Sequence, residues 1–204
     1  STGNTTFTVR NSTLRWLDGT GTITDAGSGA GVIQGSKNYT GVLIEGNDLS
    51  GMPDGIQAAG DNWIIGNNWI HKLARIGAYP NNTHNDGIQM YGGSNMQIVN
   101  NRIELDGFDG VHQNGTVFFQ VNNAPSPKVI GNFLEGGGVV VRFEGSLGTG
   151  AVVKDNVFGP LDTSVADWPF YYYPNNGAVI AEWSNNCKGD AQGNKFEPCQ
   201  PVNK

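Results

Sequence analysis

Ile64-Ile65-Gly66-Asn67-Asn68-Trp69-Ile70 and Ile98-Val99-Asn100-Asn101-Arg102-Ile103 share one pattern: an apolar pair, a turn containing Asn, then another apolar residue. The pattern recurs as Leu43-Ile44-Glu45-Gly46-Asn47-Asp48-Leu49, Val129-Ile130-Gly131-Asn132-Phe133-Leu134 and Val152-Val153-Lys154-Asp155-Asn156-Val157-Phe158. Ala191-Gln192-Gly193-Asn194-Lys195-Phe196 reads as its final copy. Between successive copies lies a second element: Asp54-Gly55-Ile56-Gln57, Asp86-Gly87-Ile88-Gln89 and Asp109-Gly110-Val111-His112. Gly31-Val32-Ile33-Gln34, Gly138-Val139-Val140 and Gly177-Ala178-Val179-Ile180 are weaker copies. A unit this short cannot bury its apolar face alone, but units stacked in parallel share one core. Stacking also brings the Asn side chains into a hydrogen-bonded ladder, and Gly supplies the backbone angles of the corners. The expectation is an all-β fold, a single-stranded right-handed parallel β-helix of about six to seven coils. At ~4.8 Å per layer the stack is about 30 Å tall. An antiparallel sandwich would show hairpin signals between neighbouring strands instead of two motifs alternating in fixed order.

Composition agrees with this reading. The chain has 204 residues, with 31 Gly and 24 Asn, both poor in helix interiors, and only 15% charged residues. Its 20 aromatic residues can fill a core, which argues against disorder. A net charge of −6 argues against a nucleic-acid partner, and no apolar run is long enough for a membrane span. Oligomeric state is left open. The expected organisation is one domain over 1–204. Residues 1–29 form an N-terminal cap and first coil, and 30–184 the stacked coils with long loops at 69–85, 114–128 and 157–175. Residues 185–204 form the last coil and a tail stapled by Cys187 and Cys199. The absence of an initiator Met, the two cysteines and five Asn-x-Ser/Thr sequons suggest a processed, secreted or extracellular protein.

Loops 69–85 and 157–175 should leave the same corner and stand as two walls above a floor made by the Asp-Gly strands. Strand alternation puts Gln57, Gln89 and His112 in one outward column, and Tyr91, Asn114 and Arg142 in the next, with Glu144 one step further. Asp86 points inward if its strand is regular, and outward only if the corner breaks the alternation at Gly87.

The Asn turns and the run Thr83-His84-Asn85-Asp86-Gly87-Ile88-Gln89 resemble the pectate-lyase-like superfamily of right-handed parallel β-helix proteins. That resemblance implies polysaccharide lyases, glycoside hydrolases, epimerases or phage tail depolymerases. The polygalacturonase motifs Asn-Thr-Asp, Gly-His-Gly and Arg-Ile-Lys are absent, so fold alone does not fix the activity.

Three chemistries fit. β-Elimination on a uronate-containing glycan needs a group that neutralises the carboxylate and a base that removes the adjacent proton. Asp54, Asp86 and Asp109 are candidate Ca2+ ligands for the first task. His84, His112, Lys72 and Arg142 are candidates for the second. Hydrolysis needs two carboxylates, for which the same aspartates and Glu144 are candidates. Glycan binding without catalysis, as in a tail-spike segment, needs aromatic platforms. The expectation is a polysaccharide or oligosaccharide partner and cleavage, with elimination placed ahead of hydrolysis. Arg75, Gln89, Tyr91, Glu144, Trp168 and Tyr171 join Lys72 and Arg142 as substrate-binding candidates.

Overall fold

The computed structural model describes residues 6–15, 31–35, 37–78, 82–107, 112–120, 126–144, 150–160, 171–172 and 179–202. The described regular elements are all strands. The first circuit of the chain is β1 (Thr8–Arg10), β2 (Thr13–Arg15) and β3 (Gly31–Gln34). It is followed by β4 (Leu43–Glu45), β5 (Asp48–Ser50) and β6 (Asp54–Ala58), then by β7 (Ile64–Gly66), β8 (Trp69–His71) and β9 (Asn85–Met90). Next come β10 (Gln97–Val99), β11 (Arg102–Gly107) and β12 (Gln113–Gln120), then β13 (Lys128–Ile130), β14 (Phe133–Gly137) and β15 (Val139–Glu144). The chain continues through β16 (Ala151–Lys154), β17 (Val157–Phe158), β18 (Tyr171–Tyr172), β19 (Ile180–Ser184) and β20 (Cys187–Lys188).

Every third strand pairs in parallel with the one a circuit away. Three sheets result, of seven, seven and six strands: β1-β4-β7-β10-β13-β16-β19, β2-β5-β8-β11-β14-β17-β20 and β3-β6-β9-β12-β15-β18. This arrangement is consistent with a parallel β-helix. Each sheet sends one apolar column inward. Ile44, Ile65, Ile98, Val129 and Val153 stack in the first sheet, Leu49, Ile70, Ile103 and Leu134 in the second, and Ile56, Ile88, Val117 and Val141 in the third. All are fully buried, each side chain worth about 1.5–3 kcal/mol of transfer from water.

The bend from first to second sheet always takes two residues, and the backbone there explains the sequence motif. The first residue adopts positive φ at Asn11, Gly46, Asn67, Asn100, Gly131, Asp155 and Asn185, a conformation open mainly to Gly and tolerated by Asn and Asp. The second is Asn47, Asn68, Asn101, Asn132, Asn156 or Asn186, with Ser12 at the start. Asn101 shows the unit. Its Oδ1 accepts from the backbone N–H and Nδ2 of Asn68, at 3.0 and 2.9 Å. Its own Nδ2 donates to Asn132 Oδ1 at 3.0 Å and to the Ile65 carbonyl at 2.8 Å.

Three details of the element assignment depart from the sequence expectation. The first is that Ile180, read as the end of a second-element copy, belongs to β19 of the first sheet. The last ladder turn is Asn185-Asn186, whereas 191–196 belongs to a separate tail turn closed by an antiparallel bridge between Gly189 and Lys195. The expected loop 114–128 begins as strand β12, so only 121–127 connects β12 to β13. The tail is held by the Cys187–Cys199 disulfide and by Trp183 Nε1 donating to the Val202 carbonyl at 2.7 Å.

Removing one rung strands several buried polar groups at once. Asn101→Ala should lower unfolding free energy by about 2–4 kcal/mol, measured by urea denaturation. A loss below about 0.5 kcal/mol would mean that the ladder does not hold the layers.

Candidate functional site

The third sheet shows how a corner turns a carboxylate outward. A Cβ added at Gly87 would meet Ile103 Cγ2 at 2.4 Å, so this position faces the core, as Ile88 does. A Cβ at Gly55 would likewise meet Ile70 Cγ2 at 2.5 Å. Two consecutive inward positions break the alternation, and Asp54 and Asp86 turn to the side of Gln57 and Gln89. A side chain at either glycine would also strike backbone oxygen, of Gly87 or of Thr116.

The outward column runs Gln34, Gln57, Gln89, Phe118 and Arg142, with Tyr172 of β18 paired in register with Arg142. Beside it Gln120 faces Glu144 in register. Asp54 Oδ1 accepts the backbone N–H of Asp86 at 2.8 Å, and Asp86 Oδ1 accepts that of Gly115 at 3.0 Å. Gln57 Nε2 donates to Asp54 Oδ2 at 2.7 Å, and Asn114 Nδ2 to Asp86 Oδ2 at 3.2 Å. Tyr91 donates its phenolic hydrogen to Gln89 Oε1 at 2.6 Å, and Gln89 donates to Gln120 at 2.7 Å. Arg142 donates to Asn114 Oδ1 and Glu144 Oε1 and lies 4.7 Å from the Phe118 ring centroid.

Both aspartates are enclosed. Burial pushes Asp54 up to about 6, against the hydrogen bonds from Asp86 and Gln57. Burial, and next the charge of Asp54, raise Asp86 well above the usual carboxylate range; Asn114 and the more distant charge of Arg142 oppose this only in part. Tyr91 is pushed up to about 12 by burial and by the two aspartates. Burial thus favours the protonated form of both carboxyls, and because they face each other they titrate as a pair.

The other candidates fall in several places. The connections from second to third sheet are 16–30, 51–53, 72–84, 108–112, Gly138 and 159–170. The two insertions expected as walls thus share a corner, three circuits apart. His84 is exposed just before β9, and Lys72 is exposed just after β8. Arg75 pairs with Asp106 at 3.2 Å, and His112 Nε2 lies 3.0 Å from the Gly77 carbonyl oxygen, away from the aspartates' bonds. Asp109 and Trp168 lie outside the described residues, as does the side chain of Tyr171.

The register of β12 differs from the motif alignment. Val117, not Val111, lies beside Ile88, and Phe118, not His112, beside Gln89. Gly115 faces Asp86 across a register shift, and among the described residues the aspartates joined at this corner are Asp54 and Asp86. Arg142 accordingly sits in the Gln89 column, not with Tyr91 and Asn114. Asn114 is the partner that the Asp-Gly motif obscured; its signal is the dipeptide Asn114-Gly115, the same turn chemistry in amide form. Each oxygen of Asp54 and Asp86 accepts one N–H donor, and Asp109, the third expected Ca2+ ligand, lies outside the described residues. Among the described residues no group of three or more His, Cys, Asp or Glu side chains is placed to hold a metal ion.

No protein-family model, curated protein or solved structure matches the chain.

The raised carboxyls give a signed pH dependence. The native state holds protons at Asp54 and Asp86 that the unfolded chain releases near its ordinary value of 3.8. Their contribution is complete below that value and is lost as pH rises through about 6 for Asp54, and further for Asp86. Urea midpoints should fall between pH 4 and pH 7, and Asp54→Asn should flatten that fall. A wild-type midpoint that rises across this window contradicts the assignment.

Proposed function

We propose that the chain is a secreted right-handed parallel β-helix of about six to seven coils, similar to the pectate-lyase-like proteins, whose third sheet binds and cleaves an acidic polysaccharide. The observation that carries the reading is the Asp54–Asp86 pair. Along the other ladder, buried backbone N–H groups are satisfied by Asn side chains. At two third-sheet corners the same task falls to Asp. Asn would accept the same bond without the cost of burying an ionisable group. The fold does not require the carboxyls, and adjacent carboxyls that titrate as a pair are what glycosidic hydrolysis uses.

In this reading Asp86 donates its proton to the glycosidic oxygen as the bond to the anomeric carbon breaks. Asp54, ionised, attacks that carbon; a water then displaces it, losing its proton to Asp86. Neighbouring strands are ~4.8 Å apart, close to the ~5 Å that a retaining pair needs. Arg142 takes a uronate carboxylate, and Tyr91 and Gln89 align the ring. Entry requires the Gln57 carboxamide and the Asn114 side chain to swing off the carboxyls that they cover. Elimination is the second reading, favoured by His84, exposed two residues before Asp86, as base, with Arg142 as neutraliser.

The test is incubation with acidic and neutral polysaccharides, with and without EDTA. New reducing ends without the ultraviolet absorbance of an unsaturated uronate support hydrolysis, and appearance of that absorbance replaces it with elimination. Retention on immobilised glycan without product overturns cleavage and leaves a binding module. Asp86→Asn should reduce turnover on the order of a thousandfold; unchanged turnover removes the pair from the chemistry.

A further inference from the structure

The second sheet carries an aromatic platform that the proposed cleavage does not use. Trp69 of β8 stands in register between Asp48 of β5 and Arg102 of β11. It is 42% exposed, yet its indole is held from two directions. One face lies on the His71 imidazole, with ring centroids 3.7 Å apart and planes 12° from parallel. Its Nε1 donates to Glu104 Oε2. His71 is fixed in turn, with Nε2 2.8 Å from Asp48 Oδ1. Glu104 is fixed by Arg102 Nη2 at 2.6 Å. The buried imidazole takes one face of the indole, so the open area belongs to its outer face and edge.

A large side chain left this exposed usually gains by packing. One already locked in place loses little further freedom when a ligand covers it. An immobile indole face bordered by carboxylates is complementary to a sugar ring, whose C–H face stacks on the aromatic surface while hydroxyls donate to the carboxylate oxygens.

The surrounding charges select the sugar. Hydrogen bonding to His71, then to Arg15, holds the Asp48 carboxyl below its usual range despite partial desolvation. Burial acts the other way on Glu104, but hydrogen bonds from Arg102 and Trp69 outweigh it. Both are anionic at neutral pH. Arg102 is committed to Glu104 and to the Ala191 and Gln192 carbonyls, and lies over the Phe133 ring. Each guanidinium at this edge is already paired with a carboxylate, Arg15 with Asp48 and Arg102 with Glu104. A uronate would have to compete with those pairs, whereas a neutral sugar meets hydrogen-bond acceptors.

We infer that Trp69, with Glu104 and Asp48 at its edge, forms a second glycan-binding site on the second sheet, selective for a neutral pyranose unit. It stands independently of the third-sheet chemistry, because its geometry uses none of those residues.

Affinity electrophoresis through gels containing galactomannan, hydroxyethyl cellulose or polygalacturonate tests it, with Tyr91→Ala as the third-sheet control. The protein should be retarded by at least one neutral polymer. Trp69→Ala should weaken that retardation about tenfold, and Tyr91→Ala should leave it intact. Circular dichroism checks that Trp69→Ala remains folded. Glu104→Gln, which keeps an acceptor but drops a charge, should narrow the preference for neutral over acidic polymer. Failure of both neutral polymers to retard the protein, or retardation that survives Trp69→Ala, overturns the site. A preference for polygalacturonate that is lost with Trp69→Ala overturns its selectivity.

Discussion

The two-residue bend between the first and second sheets is the constraint on which the rest depends. It demands a left-handed backbone residue and then a side chain that both accepts from one neighbouring layer and donates to the other. Asn meets the second demand because its amide carries both functions. Each Asn from Asn47 to Asn156 is bonded to the layers on either side, so the bend fixes the register of the first two sheets layer by layer. One of three corners is thereby kept identical, which leaves the others free to differ in length. The second-to-third corner ranges from the single Gly138 to the connection 16–30 without disturbing the pairing on either side. Loop entropy grows only slowly with length, so such insertions are cheap once the layers are pinned elsewhere.

This pinning explains what could be read from the sequence. The ladder was legible because its residues recur with fixed chemistry. The final copy was misplaced because Ala191–Phe196 has the Gly-Asn pair but lacks the apolar pair before it, whereas Asn185-Asn186 follows Trp183 and precedes the buried Cys187. The third sheet was harder. Asp109-Gly110 copies the letters of Asp86-Gly87, but strand pairing is decided by which apolar run fills the core. Val117 and Phe119 do so here, with Phe119 stacked on Phe143 at 4.9 Å. The register shift between Gln113 and Gly115 has no signature in a single sequence.

The side-chain partnerships were less legible still. Trp69 meets Glu104, and Asp86 meets Asn114, across one layer of the stack. Loop lengths make that step vary, so no constant spacing points from one partner to the other. Once register is known, the Trp69 site follows from ordinary alternation, whereas the Asp54–Asp86 site needs the alternation broken at Gly55 and Gly87. Without it, Trp69 reads as the start of a loop, and Asn114 as an outward neighbour of Tyr91 and Arg142 with no tie to Asp86.

The two sheets treat their carboxylates in opposite ways, and the difference lies in the donors supplied. On the second sheet Asp48 and Glu104 face cations or a ring N–H at hydrogen-bond distance, which favours the ionised form. On the third sheet the bonds described to Asp54 and Asp86 come from backbone N–H groups and carboxamides. The hydrogen bonds of Arg142 toward Asn114 and Glu144 leave it acting on Asp86 mainly through space. A protein that needed only layer-to-layer bonds there had a neutral solution already in use along its ladder. Two adjacent acids, enclosed and kept from sharing a full counter-charge, are an arrangement with a cost in stability, and such costs concentrate where a site must hold a proton ready to give.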